Sequence, residues 1–222
     1  VRPFKIKIAT PPDAASVIQT VTRAFRADPV ARWFYPDAEQ YEQHFPRFVE
    51  AFAGAAFEHG SADCLDDYSA AAFWLPPGAH ADDHALATLL CDSIPERSQA
   101  EVFSLLERME HNHPDESHWY LPMIGVVPAR QGSGCGSALL QHGLQRCDAD
   151  RKLAYLESSD AKNIPLYERY GFELLGKIQA GSSPPLFPML RRPRVSGRSA
   201  VAEGVFRSLA DFPSPSSGST GA

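Results

Sequence analysis

Apolar and charged residues alternate where the chain begins: Phe4, Ile6 and Ile8 against Lys5 and Lys7. A period of two belongs to a strand with one buried face, so residues 3–9 read as β. The period then lengthens. Val17, Ile18, Val21, Ala24 and Phe25 recur at helical spacing behind Thr10 as N-cap, Pro11 at the first position and Asp13 in the first turn, and Asp28-Pro29 stops that helix. Residues 38–58 repeat Phe45, Phe48, Val49, Phe52 and Phe57 on a helical period. Residues 62–66 and 69–75 read as an antiparallel hairpin closed by Leu75-Pro76-Pro77-Gly78. Residues 82–110 are helical with a break near Ile94-Pro95. A long strand from His118 to Val127 feeds a glycine-rich turn and a helix over 136–150. Strand 152–158, a short helix near 164–170, strand 172–180 and a last strand over 186–191 follow. Hairpin and crossover connections both occur, which predicts an α+β fold with a mixed central sheet flanked by helices.

Periodicity ends near Val195, and the chain closes Pro-Ser-Pro-Ser-Ser-Gly-Ser-Thr-Gly-Ala. Residues 1–194 therefore read as the folded domain and 195–222 as a flexible tail, with an apolar stretch over 200–212 that could dock as a short helix. The 222 residues are 44% hydrophobic and 22% charged, as in ordinary globular chains. The net charge of −6 argues against a nucleic-acid or anionic-membrane partner. No apolar run reaches membrane-spanning length, and the opening Val-Arg-Pro-Phe-Lys-Ile does not read as a signal peptide. Cys64, Cys91, Cys135 and Cys147 form no Cys-x-x-Cys pair, which fits reduced thiols in a cytoplasm and no zinc. His111, His113 and His118 read as a solvated polar connector, and His80 and His84 beside Asp82 and Asp83 carry no metal-ligand spacing either. Cys135 reads as a packed helix-start residue, not a nucleophile.

The candidate chemistry lies at the glycine turn, Gln131-Gly132-Ser133-Gly134-Cys135-Gly136. Bare backbone N–H groups at the start of a helix make an anion site suited to a pyrophosphate. No Gly-Lys-Ser/Thr follows, so the turn is not a nucleoside-triphosphate loop, and it lacks the Gly-x-Gly-x-x-Gly spacing of a dinucleotide fingerprint. Downstream stands Leu156-Glu157-Ser158-Ser159, then Asn163-Ile164-Pro165-Leu166-Tyr167-Glu168-Arg169 and Gly171-Phe172. Asn163 and Tyr167, four apart, share one helix face. Taken alone, Asn163 could be a helix N-cap and Gly171 a helix C-terminal glycine.

The two blocks in this order, Val-x-Pro-x-x-Gln-x-x-Gly-x-Gly and Leu-Glu-x-Ser-x-x-x-Asn-x-x-x-Tyr-x-x-x-Gly-Phe, resemble the GNAT (Gcn5-related N-acetyltransferase) family over about residues 117–180. Within it the chain looks most like the puromycin N-acetyltransferase group, through Phe73-Trp74-Leu75-Pro76-Pro77 and the Asn163–Arg169 block. The resemblance implies a sheet splayed between its fourth and fifth strands and acetyl-CoA as co-substrate, with no metal. Amides of Gln131, Gly132, Ser133, Gly134, Cys135, Gly136 and Ser137 would take the pyrophosphate. Ile124, Val126 and Val127 on the preceding strand would pair with the pantetheine arm, one amide serving the thioester carbonyl. Asn163 would contact the pantetheine or the pyrophosphate side, and Tyr167 would protonate the departing thiolate. The preceding strand lacks the carboxylate that many members carry there, so Glu157 is the first choice of base, ahead of His118 or a water chain. Where members often carry a cation this chain has Ser133, with Arg130 or Lys162 as substitutes. The implied reaction is direct acetyl transfer to a primary amine, with a small-molecule acceptor favoured. Trp33, Phe34, Tyr35, Phe73 and Trp74 are mostly core, any near the cleft offering a wall for an apolar or aromatic amine. A homodimer stays open, as does a non-catalytic acyl-CoA-binding regulator.

Overall fold

Seven strands, β1 (Ile6–Ile8), β2 (Ala62–Leu65), β3 (Ala70–Leu75), β4 (His118–Val126), β5 (Leu153–Ser158), β6 (Glu173–Leu174) and β7 (Phe187–Arg191), form one sheet in the order β1-β2-β3-β4-β5-β7-β6. The structure is a computed structural model and describes residues 4–194; the tail at 195–222, with its 200–212 stretch, lies outside the described residues. Every neighbouring pair is antiparallel except β4 and β5. One face is covered by α1 (Ala14–Ala24), α2 (Pro29–Phe34), α3 (Ala38–Ala53), α4 (Ala55–Glu58), α5 (Asp83–Ser93) and α6 (Glu96–His111). The other is covered by α7 (Cys135–Ala149) and α8 (Ile164–Arg169). Along β3, Ala71, Phe73 and Leu75 enter the first core and Ala70, Ala72 and Trp74 the second, which is why that strand is buried at every position.

The parallel pairing of β4 with β5 is short. It joins His118, Trp119 and Tyr120 to Leu153, Ala154 and Tyr155, and stops there. The cause is Pro122. Phe73 faces Met123 while Leu75 faces Tyr120, so β4 carries one extra residue at Leu121-Pro122. A proline in a central strand removes a ladder donor and is tolerated at a bulge. The bulge also exchanges the faces: Trp119 and Leu121 enter the second core, and so do Ile124 and Val126. Beyond the bulge β4 keeps β3 as neighbour and leaves β5, so the expected splay is present.

Four details depart from the sequence reading. Asp28-Pro29 ends α1 and also starts α2, because the Asp28 carboxylate accepts from the N–H of Val30 and Ala31 at 3.0 Å each. Pro11–Asp13 forms a 3₁₀ turn ahead of α1, held by Thr10 N–H donating to Asp13 Oδ2 at 2.9 Å. The 38–58 helix divides at Gly54 into α3 and α4. The 172–180 strand shrinks to β6 and one isolated bridge from Ile178 to Leu186. There β7 offers Pro188, whose carbonyl accepts from Leu175 at 2.9 Å but which has no N–H to return.

α7 is tied to β2 by a buried ion pair. The Asp63 side chain is fully buried and takes both terminal nitrogens of Arg146, one at 2.8 Å, with His142 Nε2 at 3.6 Å.

Candidate active site

Where β4 and β5 separate, a cleft of about 690 Å³ passes through the sheet. Its outer wall begins at the glycine turn. Gly132 (φ 74°) and Gly134 (φ 91°) hold left-handed backbone that a side chain would strain. Gly134 is the N-cap of α7, and no side chain caps the helix there. The first-turn amides of Cys135, Gly136 and Ser137 are the ones a helix leaves unbonded, and they face the cleft with the positive end of the helix dipole behind them. Arg130, Lys162 and Arg169 line the same region. The Gln131 side chain donates to the Val126 carbonyl at 3.2 Å and fastens the turn to β4. These residues fit a diphosphate. From Leu121 onward β4 has no strand beside it on the β5 side, so its edge is open to an extended ligand.

Tyr167 stands on the α7 and α8 side, 6% exposed. Its orientation follows from how α8 ends. Gly171 (φ 90°) donates to Glu168 O at 2.9 Å, and Phe172 N–H donates to Tyr167 O at 3.2 Å. This double return bond is a Schellman cap, and its usual hydrophobic contact is here the Tyr167 and Phe172 rings at 6.0 Å. The Tyr-x-x-x-Gly-Phe string thus packs the phenol against the cleft. Burial raises its pKa, and the Asp28 charge raises it further, so it stays protonated and able to donate. Asn163 occupies the N-cap position of α8 but makes no side-chain cap bond; it is exposed and lines the cleft.

Glu157 lies on the opposite face. Ala154 and Leu156 belong to the α7 core, so Tyr155 and Glu157 point to the α3 and α6 side, where Tyr120 of β4 joins them. The Glu157 side chain is 2% exposed, and Oε1 has no hydrogen-bond partner. Burial pushes its pKa up to about 7, against the pull of the Tyr120 and Tyr155 phenols toward the ionised form. Tyr155 Oη is likewise buried without a partner.

The connector between α6 and β4 is not simply solvated, as the sequence suggested. His111 is exposed, but the His113 ring lies over Tyr120 and Tyr155 at 4.5 and 4.6 Å between centroids. His113 Nε2 is 3.7 Å from Glu157 Oε1, and its Nδ1 is 3.0 Å from His118 Nε2. His118 Nδ1 meets the Glu116 carbonyl at 2.8 Å. A carbonyl only accepts, so His118 carries its proton on Nδ1 and accepts at Nε2. His113 then donates from Nδ1 and presents a bare Nε2 to Glu157. Burial first, then the neighbouring His118, lowers the His113 pKa to about 4, so this histidine is neutral at pH 7.

Of the residues expected at the site, Ile124, Val126, Gln131, Gly132, Gly134, Cys135, Gly136, Ser137, Glu157, Asn163 and Tyr167 line the cleft. Val127 and Ser133 do not. The Val127 N–H is used by Ser69 O at 2.9 Å, and the Ser133 hydroxyl turns back onto Arg130 O. Of the five aromatic residues proposed as core or wall, Phe34 reaches the cleft, while Trp33, Tyr35, Phe73 and Trp74 pack elsewhere. The sequence reading missed Asp28, which receives the Ser159 hydroxyl across the mouth of the cleft. It also missed the His113 contact, because neither is visible in a local spacing.

Among the described residues no helix is long and apolar enough to cross a membrane. A model of the acetyltransferase (GNAT) family matches residues 30–172. An uncharacterised N-acetyltransferase of Schizosaccharomyces pombe is 24% identical over 209 residues, covering 84% of this chain and 82% of that protein. The fold is similar to a Corynebacterium glutamicum structure described as histone acetyltransferase HPA2 and related acetyltransferase, with TM-score 0.64, 23% identity and coverage of 87% and 98%. It is also similar to arylalkylamine N-acetyltransferase 2 from Aedes aegypti, with TM-score 0.61, 13% identity and coverage of 87% and 100%.

Proposed function

This chain belongs to the acetyltransferase (GNAT) family, and on that premise we propose that it moves an acetyl group from acetyl-CoA directly to the primary amine of a small molecule. The observation that carries the reading is the placement of Tyr167 and Glu157 on opposite faces of the sheet, meeting only through the gap where β5 leaves β4.

The loop amides of Gly132, Gly134, Cys135, Gly136 and Ser137, with Arg130 and Lys162, hold the diphosphate. The open edge of β4 pairs with the pantetheine arm, and one of its N–H groups polarises the thioester carbonyl. The amine enters from the α3 and α6 side. Its nitrogen attacks the carbonyl carbon, the C–N bond forms and the C–S bond breaks. Glu157 takes the proton from nitrogen, and the Tyr167 phenol gives one to sulfur. A carboxylate ionising near pH 7 suits a general base at physiological pH. Positioning both substrates across one gap removes the need for a covalent enzyme intermediate. The four cysteines are free, which supports a reducing compartment such as the cytoplasm.

The test is CoA release from acetyl-CoA across a panel of primary amines, with Tyr167→Phe and Glu157→Gln beside the wild type. Amine-dependent release lost in both variants supports the assignment. Tight acetyl-CoA binding with no release for any amine would leave a binding protein in its place.

A further inference from the structure

We infer that the acceptor is an arylalkylamine, a primary amine on a short chain that carries an aromatic ring; this rests on the acetyltransferase reading above. The wall of the cleft facing α1, α3 and α6 is a continuous run of rings. Phe25 and Phe45 are 6.0 Å apart between centroids, Phe45 and Phe48 5.7 Å, Phe48 and Phe52 5.3 Å, and Phe52 and Tyr120 6.4 Å. All five line the cleft, and Phe25, Phe52 and Tyr120 are left partly exposed, where rings serving only as core would be covered on every side. The run ends at Tyr120, next to the Glu157 carboxylate. An aromatic body lying along it would meet ring faces and edges and bring its amine to the base.

Charge narrows the class. Among the described residues that α1, α2, α3 and α6 and the turn between α1 and α2 bring to the cleft, the charged side chain is Asp28. Its Oδ1 accepts from the Val30 and Ala31 amides and its Oδ2 from the Ser159 hydroxyl. Glu157 is required as base. On the ring wall itself, among the described residues, no second carboxylate stands with Asp28 for the further cation of a polyamine or guanidino amine, and no cation there would hold the carboxylate of an amino acid. Arg130, Lys162 and Arg169 stand at the diphosphate end, and Asp160 caps the turn before α8 by accepting from Lys162 N at 2.9 Å. An unpaired charge buried against the rings is strongly disfavoured.

The experiment measures kcat/KM from chromatographic CoA release with 2-phenylethylamine, tryptamine, agmatine, spermine and lysine as acceptors, and acetyl-CoA binding by calorimetry. We expect the two arylalkylamines to exceed the other three by about 100-fold. Phe52→Leu should raise the KM for 2-phenylethylamine about tenfold with the acetyl-CoA Kd unchanged. Equal or better rates with agmatine, spermine or lysine overturn the acceptor class and leave the acetyltransferase reading standing. Bound acetyl-CoA with no turnover of either arylalkylamine also overturns it. Failure to bind acetyl-CoA removes the reading underneath.

Discussion

Replacing Glu157 with Gln tests the proposed base with a magnitude set by the structure. The substitution keeps the volume and removes the ionisable group. A general base contributes about 10²–10⁴ in rate, so the ratio of wild-type to variant kcat/KM should reach that range once Glu157 is ionised. Its pKa near 7 fixes where this happens. About one-tenth of the groups are ionised at pH 6 and about nine-tenths at pH 8, so the ratio should rise about tenfold between them and level off above. Using the ratio cancels the titration of the amine, which both enzymes share. A base with an ordinary carboxylate pKa would give a ratio already flat by pH 6. A flat ratio, or one near unity, refutes the assignment.

The same group predicts a stability effect. Its lift from 4.5 to about 7 corresponds to about 3 kcal/mol. Unfolded, the carboxyl ionises near its ordinary value; folded, it holds its proton up to about 7. Between those limits the folded state binds more protons, so the unfolding free energy falls as pH rises and is level again above the window. The glutamine variant lacks that fall. Denaturant melts of both proteins at pH 5 and pH 8 should show the variant gaining by up to about 3 kcal/mol at the higher pH.

Tyr167→Phe should lower kcat by about 10²-fold with little change in acetyl-CoA affinity, because it removes a proton donor and not a contact of the diphosphate; unchanged kcat in steady-state assays would exclude the phenol as acid. Gly134→Ala places a side chain at φ 91°, so calorimetry should show acetyl-CoA binding weakened about tenfold or more and a melt should show a loss of about 1–2 kcal/mol. Asp63→Ala leaves Arg146 without its buried partner and should cost about 3–5 kcal/mol in urea titrations; a loss under 1 kcal/mol would mean that Arg146 finds solvent.

Much of this site is written in short stretches of chain. The helix stop at Asp28-Pro29, the break at Ile94-Pro95 and the Gly171-Phe172 cap depend on residues a few positions apart, where backbone φ and side-chain reach decide the outcome. The glycine turn before α7 is legible for the same reason, since Gly132 and Gly134 adopt conformations that other residues avoid. The sheet edge was harder: residues 172–180 have strand character, but a ladder needs a partner that can donate, and β7 places Pro188 there.

The cleft itself belongs to the tertiary structure. Pro122 was on view within an apolar run, yet its effect is to release β4 from β5, a relation between strands about thirty residues apart. Whether Glu157 ionises as an ordinary carboxylate or near neutrality depends on rings from β4 and β5 and on His113 from a loop, all gathered by packing. Local pattern thus settled most of the helices and strands and the glycine turn that opens α7. Only the assembled sheet decided which side chains share the gap, because desolvation and proximity are set by neighbours distant along the chain.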